Sequence, residues 1–134
     1  MINAIKYGLQ NYHHFPNWID SVDLKIEAID TLMTKSGGSI VKKPEGNFDR
    51  QSFLISQISR KGVLENLKAN YQFYIDLVDN FINSLKGEEY EIMSDKYING
   101  ISHDELCYKY FFSPRTLYRH IDRIIENYSK EFDI

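Results

Sequence analysis

Arg115, Arg119 and Arg123 stand four residues apart, so on an α-helix their guanidinium groups project along one flank. Arginine carries a planar fork of donors that matches guanine O6 and N7 and also phosphate oxygens. A solvent-facing row of this kind is chemistry suited to duplex DNA. Leu117, Ile121 and Ile124 or Ile125 keep the 3.6-residue spacing of an opposite, inward face. Ser113 is a good N-cap, and Pro114 suits the first helical position, where its missing N–H costs nothing. Upstream, Ser102 and Glu105 form an S-x-x-E capping box, which predicts a first short helix from about Ser102 to Tyr110. The stretch from Gly100 to Ile125 thus reads as two short helices joined by a tight bend, with cations outside the second. A helix-turn-helix presents itself to a major groove in this form.

Within that stretch each outward residue has an expected role. Arg115 and Arg119 read base edges, and Arg123 extends the row. Tyr118 stacks or reaches a phosphate, while Ser113, Thr116 and Lys109 position the DNA backbone. His120 falls on a half-buried position and reads as packing. The plainer account of the row is an ordinary solvated helix face, with Asp122 and Glu126 neutralising part of it.

Other chemistries have less material. His103 and Cys107 are four apart and His13 adjoins His14, but no CxxC or HExxH accompanies them, so no metal site is expected. Cys107 reads as a small hydrophobe at a helix crossing. No GxxxxGK[ST] or GxSxG is present, and the carboxylates are scattered over helix exteriors. The expectation is a non-enzymatic protein without a cofactor.

The composition limits how DNA could be held. The 134 residues carry a net charge of −3, with a pI near 5.8, which is not the footprint of a protein that coats nucleic acid. Between 101 and 134 there are five Lys/Arg against six Asp/Glu. Binding must therefore rest on local placement, and non-specific affinity should be weak and salt-sensitive. A single cysteine excludes an intramolecular disulfide and fits a reducing cytoplasm. No apolar run approaches the ~20 residues needed to span a bilayer, and MINAIKYGLQ lacks the regions of a signal peptide.

The elements that must position this stretch are helical. Ile2, Ile5, Leu9 and Tyr12, then Phe15, Ile19, Val22, Ile26, Ile29 and Met33, form one stripe, which Pro16 interrupts. This predicts helices over about 3–13 and 17–34, with Trp18 beside the stripe as a candidate anchor. Lys35 to Asn47 has no period and reads as a flexible connection, its Lys35, Lys42 and Lys43 most simply solvated. Helix resumes from Phe48 to Leu85, about 55 Å if unbroken. Leu64, Leu67, Tyr71, Tyr74, Val78, Phe81 and Leu85 make a coiled-coil seam within it. Gly62 would bend or divide this helix. Gly87 suits a cap after it, and a helix over about 88–98 would bury Tyr90 or Met93 together with Tyr97.

The fold class is thus all-α: a long antiparallel, coiled-coil-like helical hairpin over 1–85, then a helix-turn-helix unit over 86–128, with a frayed tail over 129–134. The stripes of the hairpin bury each other, pair between two chains, or do both; a homodimer follows from the last two.

From Leu85 to Ile125 the chain resembles region 4 of bacterial sigma factors and related phage regulators. The resemblance rests on the acidic helix Glu88 to Tyr97 and on Tyr97-Ile98-Asn99-Gly100-Ile101-Ser102. Glu105-Leu106-Cys107 and Ser113-Pro114-Arg115-Thr116-Leu117 complete it. The turn position that carries Gly in that outline is Phe111 here, which points to a longer or differently built turn. In layout the whole chain resembles the small phage late-gene regulators of the ArpU/RinA type. That resemblance implies activation of late operons, double-stranded DNA as partner and contact with RNA polymerase. Two other classes fit the same layout. One is a DNA-recognition subunit of a packaging terminase; the other is a module that contacts RNA polymerase or an inhibitor without touching DNA.

Overall fold

The computed structural model describes residues 2–37 and 49–132. Among them the chain is all-α: α1 (Ile2–Asn11), α2 (Phe15–Gly37), α3 (Arg50–Ser84), α4 (Glu88–Tyr97), α5 (His103–Tyr110) and α6 (Pro114–Phe132). No described helix is long and apolar enough to cross a membrane. The connection expected over 35–47 lies outside the described residues, apart from its first three positions, which continue α2. Lys42 and Lys43 fall outside with it.

The break in the N-terminal stripe falls at Tyr12 to His14, before Pro16 and not at it. The His14 amide closes a turn on the Asn11 carbonyl at 2.9 Å. Pro16 then sits in the first turn of α2, where no intrahelical donor is needed, so it starts that helix without kinking it. Asp49 caps α3, accepting from the Gln51 and Ser52 amides at 3.0 and 3.3 Å and from the Ser52 hydroxyl at 2.7 Å. Gly62 does not interrupt α3, which runs on as one helix to Ser84.

The chain divides into two compact units, residues 1–15 with 73–134 and residues 16–72. The boundary expected after residue 85 falls inside the first of them. In that unit Ile5 and Leu9 of α1 and Val78, Phe81 and Ile82 of α3 join one buried cluster with Ile92, Met93, Leu106, Leu117, Ile121, Ile124 and Ile125. Residues assigned by sequence to the arm thus complete the core on which the short helices rest. Burying a side chain of this size contributes about 1.5–3 kcal/mol, and five of the twelve cluster residues come from α1 and α3. Helix α1 approaches closely because Gly8 has no side chain; a Cβ there would meet Val78 Cγ2 at 2.8 Å. Tyr7, Phe15 and Tyr74 pack ring against ring beside it, with centroids 4.8–5.9 Å apart.

The seam carries through as its spacing requires. In both N-terminal stripes every residue is buried or half-buried, as is every seam position from Leu64 to Leu85. Within the second unit α2 and α3 run antiparallel. Asp23 meets Lys68 and Asp30 meets Lys61, each at 2.7 Å, so positions descend on one helix as they climb on the other. Trp18 packs on Tyr71 at 5.4 Å. These ion pairs lie along one edge of the seam. The other edge is a cleft of ≈ 610 Å³ floored by Ala28, Ile29, Leu32, Val63 and Leu64. Gln57 lines it, 6 % exposed, with its Oε1 buried and lacking a hydrogen-bond partner.

The tail expected to fray from residue 129 is helical through Phe132. Tyr128 packs edge-on against Phe81 at 4.9 Å and Ser129 is buried, so the stripe of α6 extends beyond Ile125. Residues 133 and 134 lie outside the described residues. In α4 the buried residues are Ile92 and Met93, with Tyr97 half-buried, whereas Tyr90 faces solvent.

Candidate nucleic-acid interface

Local sequence sets the geometry of α5, the turn and α6. Ser102 caps α5, its hydroxyl accepting from the Glu105 amide at 3.2 Å. Ser113 caps α6 in the same way, accepting from the Thr116 amide at 3.2 Å, and its hydroxyl donates to Thr116 Oγ1 at 2.8 Å. Between the helices the turn is the short one built for glycine. Phe111 takes the left-handed conformation, φ 59° and ψ 38°, and the Phe112 amide reaches back to the Cys107 carbonyl at 3.0 Å. That 6→1 bond is a Schellman closure with Phe111 at its C′ position. The expectation of a longer or rebuilt turn is therefore corrected: the backbone keeps the glycine geometry and bends a phenylalanine into it.

Helix α6 is two-sided. Leu117, Ile121, Ile124 and Ile125 are buried, while Arg115, Arg119 and Arg123 are all exposed. Helix α1 packs on the buried side of α6, so the arginine flank stays open. Among the described residues no ion pair or hydrogen bond engages these three guanidinium groups. Asp122, expected to neutralise the row, lies 3.8 Å from Lys6 of α1. Ser113 and Thr116 are exposed beside Arg115, although their hydroxyls are joined to each other.

Two expected contact residues are partly committed elsewhere. Lys109 Nζ lies 2.7 Å from Asp95 Oδ2 and so ties α5 to α4. Tyr118 lays its ring on His103, centroids 3.8 Å apart and planes 18° from parallel, leaving about half of the residue exposed. His120 is half-buried and tilts against Phe112 at 5.4 Å, in line with a packing role.

His103 is the residue that the sequence reading missed. Its Nε2 donates to the Pro114 carbonyl at 3.1 Å, which leaves Nδ1 to accept from the Lys96 ammonium at 3.3 Å. One imidazole thus fastens the start of α5 and the end of α4 to the first turn of α6, and supports Tyr118 from beneath. Burial holds the Lys96 ammonium below the usual lysine range. No periodicity marks His103, because its partners lie on other helices.

Among the described residues, no group of three or more His, Cys, Asp or Glu comes together to hold a metal ion. A cleft of ≈ 670 Å³ in this unit is lined by Tyr12, Asp79, Glu91, Asp95, Lys109 and Tyr110 among others. Within it the Asp95 carboxylate is satisfied by protein donors. No family model, curated protein or solved structure matches the chain.

Proposed function

We propose that this chain is a sequence-specific transcriptional regulator that reads duplex DNA with α6 and acts as a homodimer. The observation that carries the reading is the exposed, unpaired row Arg115, Arg119 and Arg123, backed by the buried face Leu117, Ile121, Ile124 and Ile125. Residues 115 and 123 are separated by about 12 Å along the helix axis, the rise of three to four base pairs. Arg115 and Arg119 hold guanine edges through bidentate forks. Arg123 meets phosphate, and Ser113 and Thr116 fix the approach of the helix N-terminus to the backbone. His103 and Lys96 are positioning residues: they hold the first turn of α6 and do not touch DNA.

Three cations on a chain of net charge −3 make the electrostatic contribution small. Arg123 neutralises one phosphate per protomer, which would give a slope of log K against log salt of about −0.9 for each protomer. Specific readout must supply the remainder, which favours a regulator over a coating protein. The homodimer gains support from the second unit. A two-helix unit buries little by itself, and here Leu24, Leu32, Ile55, Ile58 and Val63 remain exposed. The open edge of the α2–α3 seam is the side a second copy would cover. The resemblance to ArpU/RinA regulators points to late promoters of a phage or mobile element, with RNA polymerase as a further partner.

Selection from a pool of random duplexes at two salt concentrations tests the reading. A regulator enriches one or a few sequences and keeps them as salt rises. Uniform retention at low salt that vanishes for every sequence at high salt would overturn it. So would capture of RNA polymerase with no retention of any duplex, which belongs to the interaction module.

A further inference from the structure

The α5–α6 turn holds two consecutive phenylalanines with opposite fates. Phe112 packs against the core, as the residue after a Schellman turn commonly does. Phe111 is 94 % exposed, and Tyr108, one helical turn earlier, is 88 % exposed. Phe111 is also the only described residue other than glycine with a positive φ. Glycine adopts that conformation without steric cost, whereas a Cβ crowds the neighbouring carbonyl. Every contact of this turn that supports the fold is made by backbone or by Phe112. The fold gains nothing from the Phe111 ring, which carries both a strained backbone and an apolar surface left in water. Strain retained at a solvent-facing position is a mark of contact with another molecule.

We infer that Phe111 is a DNA-contact residue that packs on thymine methyl groups at the mouth of the groove entered by α6. The inference rests on the reading of α6 as the DNA-facing helix. Charge placement selects nucleic acid as the occupant. Phe111 lies two residues before the cap Ser113, at most ~7 Å along the chain, and four before the unpaired Arg115. The nearest acids on its own helix, Asp104 and Glu105, occupy the opposite end of α5, roughly 10 Å away along the axis. An N-terminal helix end lodged in a major groove brings the preceding turn to the edge of the bases. The apolar feature available there is the thymine C5-methyl, against which a phenylalanine side chain packs. Tyr108 borders the same surface on the α5 side.

The test uses the full chain, the variants Phe111→Gly and Arg115→Ala/Arg119→Ala, and the best duplex from the random-pool selection. That duplex is made in two forms, with thymine or with uracil in its place, which removes only the methyl groups. Phe111→Gly should raise the melting temperature by roughly 4 °C or more as the strain is relieved. It should bind the thymine duplex about five- to tenfold more weakly with an unchanged salt slope, since no charge is lost. The wild type should lose a similar factor on the uracil duplex, and Phe111→Gly should be indifferent to the exchange. If Phe111→Gly binds like the wild type while Arg115→Ala/Arg119→Ala loses binding, the inference falls and the DNA-binding reading stands. If the arginine variant also binds like the wild type, both fall. Unchanged duplex affinity of Phe111→Gly with lost capture of a protein partner overturns the inference in favour of a protein-docking turn.

Discussion

Lys109 and Asp95 lie fourteen residues apart in the chain and 2.7 Å apart in space. Their pairing joins the end of α5 to α4 and so fixes the base from which the α5–α6 turn projects. The same Asp95 carboxylate accepts from the Tyr110 hydroxyl at 2.6 Å and from Asn99 Nδ2 at 3.1 Å, and its side chain is only 13 % exposed. Charge-assisted bonds of this kind are short and strong, and a partner left behind without them is costly.

The Lys109 ammonium first, and then the Tyr110 hydroxyl, hold the Asp95 carboxyl below the usual carboxylate range. A carboxyl depressed in the folded state contributes stability that is complete above its unfolded value of about 4 and is lost as pH falls through the folded value. Asp95→Asn should therefore lower the stability at neutral pH by about 1–2 kcal/mol. The gap between variant and wild type should close as pH falls below about 4. Denaturant melts across that range measure it, and a gap independent of pH would contradict the assignment.

Tyr12 and Tyr97 give the opposite sign at alkaline pH. Burial, and then the 2.7 Å bond from its hydroxyl to Asp79, pushes Tyr12 up to about 12. Burial pushes Tyr97 to about 12 as well. A phenol raised in the folded state contributes stability that is complete below its unfolded value of about 10 and drains away as pH rises towards 12. Spectrophotometric titration should show these two phenols ionising last among the ten tyrosines, or only on unfolding. Tyr12→Phe should be less stable than the wild type at neutral pH by about 1 kcal/mol and approach it above about pH 10.

Two glycines inside helices should answer to alanine with opposite signs. A Cβ at Gly62 meets nothing within 4 Å, so Gly62→Ala should stabilise α3 by about 0.5–1 kcal/mol. A Cβ at Gly8 meets Val78 Cγ2 at 2.8 Å, and that valine is both fully buried and stiff about χ1. Overpacking of this kind costs about 1–3 kcal/mol, which should exceed the gain in helix propensity. Thermal melts of the two variants decide the matter, and a stabilised Gly8→Ala would mean that α1 does not dock where it is described.

The helical stripes were legible because burial follows spacing. Ile5, Leu9, Val22 and Ile29 face inward for the same reason that Arg115 and Arg119 face outward, and a 3.6-residue period reveals both. The caps Ser102 and Ser113 were legible because capping is local chemistry. What spacing does not encode is which stripe meets which. Helix α1 belongs with α4 to α6, and the one sequence trace of that docking is the absent side chain of Gly8. The Asp95–Lys109 and His103–Pro114 ties join residues on different helices and leave no periodic mark. The stripe of α6 did continue in the sequence, since Tyr128 lies four residues after Ile124, but the polar residues around it hid the continuation. Residue preference alone does not reveal the turn around Phe111, because a strained phenylalanine can still adopt the backbone geometry that glycine favours.

The outward row of α6 meets its most direct test in the affinity of Arg115→Ala/Arg119→Ala for the duplex selected by the wild type, with circular dichroism melts alongside. Both side chains are solvent-exposed, so the fold and its melting temperature should be unchanged. Loss of two bidentate base contacts at about 1–3 kcal/mol each should weaken binding by at least ~30-fold. It should also relax sequence preference at the positions those arginines read. A folded variant that binds the selected duplex as tightly and as selectively as the wild type would contradict the account.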